Sequence, residues 1–107
     1  MRRAILPALC LAILPAAAVL AQGPALVVLN KAEATASLVS LADGKTIATM
    51  PVGDGPHEVA VSPDGRWAVA TNYGAQVPGH SLTVLDLATR SATQTIELGQ
   101  YRRPHGI

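Results

Sequence analysis

A proline–histidine step occurs twice in this chain, as Pro56-His57 and Pro104-His105. Imidazole titrates near neutrality and ligates metals through its neutral ring nitrogen, so the pair could hold a cation, an anion or an acidic substrate. Glu58 follows His57 directly and could act as a general base or a second ligand; Gly106 stands in its place after His105, so a carboxylate there belongs to one copy only. Arg102 and Arg103 lie just ahead of the second step, where a guanidinium could make bidentate contact with carboxylate or phosphate. Against these stand plainer readings. Pro-His can be an architectural turn whose imidazole bonds a backbone carbonyl, and the arginines can be a solvated loop pair. No cofactor is expected, and a divalent ion on His57 and His105 is one option among these.

Other chemistries are absent from the sequence. It has no Gly-x-Ser-x-Gly elbow, no phosphate loop, no His-Glu-x-x-His and no aromatic series for stacking single-stranded nucleic acid. Asp64 and Asp86 fall at hairpin positions and read as turn and strand-end groups, while His80 reads as a surface residue.

The elements that must position these residues come from a repeat. Leu41–Gly53 lies over Leu87–Gly99 without a gap, Val27–Asn30 lies over Val69–Asn72, and Pro56-His57 lies over Pro104-His105. The spacing between copies changes only in the segments Tyr73–His80 and Gln100–Arg103, which read as loops that absorb insertion. Within a copy, Val59 and Val61 alternate with Glu58, Ala60 and Ser62 at the period of a strand. Ser62-Pro63-Asp64-Gly65-Arg66 then supplies a tight reversal: proline presets φ, aspartate bonds nearby backbone N–H, and glycine accepts positive φ. Strands follow at Trp67–Asn72, Ser81–Ala88 and Ser91–Leu98, and Asp43-Gly44 makes the matching hairpin turn in the earlier copy. No segment beyond residue 22 has helical periodicity, so the fold class is all-β, with four antiparallel strands per unit. That unit length is the period of a β-propeller blade. About two blades cannot close a ring, so residues 22–107 are expected to be the N-terminal part of a longer propeller, whose first blade takes its missing strand from the far C-terminus.

Composition sets the compartment. Met1-Arg2-Arg3, the apolar run Ala4–Leu20 and the small residue Ala21 have the layout of a secretory signal peptide over residues 1–21. Pro7 and Pro15 argue against a membrane helix, and Leu9 against lipidation at Cys10. Secretion or periplasmic export is expected, with no membrane attachment after cleavage. The sole cysteine leaves with this leader, so the rest can form no disulfide. Near-balanced charge beyond the leader gives no electrostatic case for nucleic acid.

The stretch Gly53-Asp54-Gly55-Pro56-His57-Glu58-Val59-Ala60-Val61-Ser62-Pro63-Asp64-Gly65, with its following strand ending in Thr71-Asn72, resembles the YVTN-family β-propeller repeat. Ser81–Leu87 resembles that family's third strand, and Arg103–Ile107 the opening of a further copy. Ala68-Val69-Ala70-Thr71-Asn72 departs from the tyrosine-led signature. The resemblance implies a seven-bladed, YncE-like, secreted or periplasmic protein; neighbouring propeller families include lactonases. The leading expectation is a propeller that binds a small anionic ligand or a protein partner on its channel face through His57, Glu58, Arg102, Arg103 and His105, without chemistry of its own. The alternatives are a lactone hydrolase, with Glu58 or a histidine activating water and an arginine stabilising developing charge, and a cell-envelope scaffold. Oligomeric state is left open.

Overall fold

The computed structural model describes residues 23–107; the leader placed at residues 1–21 lies outside the described residues. Seven strands follow one another: β1 Ala25–Asn30, β2 Thr35–Ser40, β3 Thr46–Pro51, β4 Pro56–Val61, β5 Trp67–Gly74, β6 Pro78–Asp86 and β7 Ser91–Glu97. No helix occurs among the described residues, and so none there is long and apolar enough to cross a membrane.

The strands form two antiparallel sheets, one of three strands ordered β1-β2-β3 and one of four ordered β4-β5-β6-β7. The sequence repeat is reproduced in the pairing register. Val27 opposes Leu38 in the first sheet as Val69 opposes Val84 in the second, and Asn30 opposes Thr35 as Asn72 opposes Ser81. Even the irregularities recur. Ile47 is an extra residue in β3 opposite the Leu38/Val39 step, and Thr93 is its counterpart in β7 opposite Val84/Leu85. Such bulges bend a strand and increase its twist, and they fall at the same place in both sheets. Among the described residues β4 has no counterpart in the first sheet, and β1 is there an edge strand.

One expectation needs adjustment. The segment Tyr73–His80 reads as a loop, yet β5 runs to Gly74 and β6 begins at Pro78, with Gly74 paired to Pro78 and only Ala75–Val77 turning between them. Gly79 permits this extension, because a side chain there would overlap the backbone carbonyl of Asn72. The glycines serve close backbone approach rather than loop flexibility.

The two sheets pack through a core of small and aliphatic side chains. Ala36 and Leu38 from β2 and Met50 from β3 meet Ala68 from β5, Leu85 from β6 and Leu87 just beyond it, with Val27, Leu29 and Val59 packed around them. Ala36, Ala68 and Ala70 are fully buried, and their small size lets the sheets approach. Burying a side chain such as Leu85 contributes roughly 1.5–3 kcal/mol.

Candidate functional site

His57 owes its position to a bulge. Pro56 pairs with Asn72 and Val59 with Ala70, so His57 and Glu58 together oppose the single residue Thr71. The Thr71 hydroxyl accepts from the Glu58 N–H at 2.9 Å and donates to the Glu58 carbonyl at 3.3 Å, satisfying backbone groups that the ladder no longer serves. The bulge re-aims the His57 side chain towards the end of β5, where its ring lies 4.9 Å from that of Tyr73.

Buried Asn72 fixes the end of β5. Its amide donates to the hydroxyls of Ser81 at 2.9 Å and Thr83 at 3.0 Å, and its oxygen accepts from the Gly53 N–H at 2.9 Å. Asn30 repeats the arrangement in the first sheet, donating to Thr35 at 3.0 Å and Ser37 at 2.8 Å. Gly53 must be glycine here because a Cβ would overlap the Asn72 side chain. Each bridging asparagine is followed directly by a residue at the same end of its sheet, Lys31 in one unit and Tyr73 in the next.

The chain beyond β7 returns to this end. Arg103 donates its N–H to the Gly79 carbonyl at 2.8 Å, and its guanidinium sits 4.8 Å from the centre of the Tyr73 ring while bonding the Ala75 carbonyl at 3.3 Å. The His105 ring then lies 6.1 Å from Tyr73 and 6.2 Å from His57. On the first sheet's side, the Lys31 ammonium stands 5.1 Å from the same ring centre. Four cations or potential cations thus gather round one phenol, the geometry of cation–π contact.

Glu58, a candidate base or ligand from its sequence position, is engaged by backbone N–H groups. Its carboxylate accepts from the N–H groups of Gly106 and Ile107, the latter at 3.2 Å. The Gly106 bond is the main cause that holds its carboxyl below the ordinary value; desolvation opposes the shift, while the Ile107 bond and the nearby imidazoles add to it. His57 Nδ1 is 3.8 Å from Glu58 Oε1. A carboxylate so engaged is a weak base, and it serves to tie the segment carrying His105 against β4.

Of the residues singled out in the sequence, His57, Glu58, Arg103 and His105 come together, whereas Arg102 turns away and donates to the carbonyls of Gly99 and Tyr101. Tyr73 and Lys31 complete the cluster and were not anticipated from the sequence. The alignment that matches Asn30 with Asn72, carried one residue further, places both at equivalent positions. Among the described residues no group of three His, Cys, Asp or Glu side chains is disposed to hold a metal ion. His80 is on the surface, 2.9 Å from Glu97.

The aspartates hold structural posts. Asp64 accepts from the Ser62 hydroxyl and the Arg66 N–H within the β4–β5 turn. Burial opposes the charge of Asp86, but the N–H of Thr89, the Arg66 guanidinium and the N–H of Ala88 together hold its carboxyl below the ordinary value. At the opposite end of the strands from the cluster, an open cleft of about 1110 Å³ runs between Leu26, Val61 and Leu87. Its charged rim residues are already engaged, Asp64 in its turn and Arg66 with Asp86 at 3.2 Å.

The fold and site therefore define a class, an all-β repeat of antiparallel sheets with a cationic aromatic cluster at one end. No protein-family model and no curated protein matches the chain. Among solved structures it is similar to Kuenenia stuttgartiensis hydrazine synthase, with 24% sequence identity and a TM-score of 0.65 over 73% of this chain. The match spans 22% of the length of that chain, and the likeness is one of fold.

Proposed function

We propose that the chain belongs to an exported, YVTN-like β-propeller that binds a small ligand or a protein partner at the end of the sheets carrying His57, Tyr73 and His105. The observation that carries this reading is the convergence of repeat-equivalent imidazoles, 6.2 Å apart, on side chains from three successive units. A turn with purely architectural histidines has no need to bring both against one aromatic ring and two further cations.

The array part of the reading is supported by the outer faces of the two sheets. Val69, Leu82, Val84 and Ile96 occupy on the second sheet the positions that Val27, Ala36, Leu38 and Met50 occupy in the core of the first. Leu26 and Val28 on the first sheet are 51% and 41% exposed, and Ile96 on the second is 37% exposed. Each outer face thus copies one half of the interface already formed, which favours further units stacked on both sides. Export rests on the leader sequence alone.

In a lactone hydrolase an imidazole would be the stronger base, because backbone N–H groups stabilise the charged form of Glu58. The deciding experiment is a thermal-shift screen of the full-length protein against acidic metabolites and cell-wall fragments. A ligand that raises the melting temperature, and ceases to do so in His57→Ala, is the expected result. Silence across the screen would leave the envelope-scaffold reading standing instead.

A further inference from the structure

We infer that the Tyr73 cluster takes a small, multiply charged oxyanion, one molecule carrying at least two carboxylate or phosphate groups, held between Lys31 and Arg103 with the imidazoles of His57 and His105 alongside. This rests on the ligand-binding reading above and adds the chemical class of the ligand.

Charge is the first argument. Neither Lys31 nor Arg103 is paired with a carboxylate among the described residues, and the Glu58 carboxylate of the cluster is turned to the N–H groups of Gly106 and Ile107. Lys31 and Arg103 therefore carry two positive charges that no carboxylate pairs directly, with Glu58 set beside His57 instead. A metal ion would be repelled by the same two groups.

Span is the second. The ammonium and the guanidinium lie 5.1 and 4.8 Å from one ring centre, so they are at most about 10 Å apart. Two separate cationic centres at that spacing suit two anionic groups in one small molecule, and the guanidinium favours a planar or tetrahedral oxyanion.

Backbone conformation is the third. Arg103 has φ of 51°, and the equivalent residue one unit earlier is Gly55, with φ of 55°. The repeat thus requires a left-handed conformation at this step, and glycine meets it without side-chain strain. The second copy keeps an arginine there, and that arginine is the one placed over Tyr73. Arg90 replaces Gly44 in the same way at a turn away from the cluster, so Arg103 is set apart by its placement over Tyr73.

Isothermal titration calorimetry of the full-length protein at low ionic strength tests this with four probes: citrate, inorganic phosphate, acetate and glucose. Citrate should bind at least about tenfold more tightly than acetate, and Lys31→Gln and Arg103→Gly should each weaken citrate about tenfold or more. Arg103→Gly should do so with its melting temperature undiminished, which separates ligand contact from a structural role. Equal binding of citrate and acetate, or citrate affinity unchanged in both variants, overturns the inference. Binding of glucose without citrate overturns the ligand class and leaves the ligand-binding reading intact. If none of the probes binds and the wider screen is also silent, both fall.

Discussion

Two side chains, Glu58 and Asn72, hold the candidate site in place. Because Gly106 and Ile107 stabilise the charged form of Glu58, the carboxylate contributes stability that is present in full above the ordinary value of 4.5 and is lost as pH falls through the lower folded value. Thermal melts of the full-length protein and Glu58→Gln should therefore differ at neutral pH and converge in increasingly acid buffer; a pH-independent gap would remove the tether. Asn72 is 2% exposed and serves three partners, so Asn72→Ala should cost about 2–4 kcal/mol in urea unfolding, from the groups it leaves unpaired. Asn30, half-buried and bonded only to two hydroxyls of its own sheet, should cost less when replaced by alanine.

At the scale of the element, the bulge in β4 decides where an imidazole points. Thr71→Val keeps the shape of the side chain but orphans the Glu58 N–H, so it should destabilise by about 1–3 kcal/mol and shift the His57 ring resonances away from those of Tyr73 in NMR spectra. Strands of this kind were legible in the sequence where period-two alternation met strong turn residues. Val59 and Val61 ahead of Pro63-Asp64-Gly65 are the clearest case, and the repeat extended the reading to the other copy. The β5–β6 extension was not legible, because Gly74, Pro78 and Gly79 carry the chemistry of a loop and act here as points of backbone contact. Much of the cluster was legible as well. The duplicated Pro-His step announces itself, whereas Lys31 and Tyr73 are unlike residues at like positions, and only the three-dimensional register brings them to one place. Arg102 and Arg103 are indistinguishable as neighbours in sequence; the left-handed backbone at Arg103 sends one inward and leaves its neighbour on its own turn.

For the molecule as a whole, stability resides between the sheets. Leu85 is fully buried there, and Leu85→Ala should lower unfolding free energy by about 2–5 kcal/mol, with transfer and cavity costs both contributing. The uncovered apolar faces lead to another expectation. A fragment limited to residues 23–107 should bind a hydrophobic dye and scatter light at concentrations where the full-length protein does neither, since Leu26, Val28 and Ile96 stay exposed in it. A fragment that stays monomeric and dye-free would argue against further stacked units.

Among the described residues, the β1 margin of the three-stranded sheet has no hydrogen-bonded neighbour. Ala25–Asn30 is six residues long, rich in valine and leucine, and carries neither charge nor proline, which are the traits of a segment able to template fibrils when its peptide groups go unmatched. Lys31 comes immediately afterwards, the kind of flanking charge that opposes such growth. Neutralising this ammonium group, which also faces Tyr73, should shorten the lag before thioflavin-positive aggregates form.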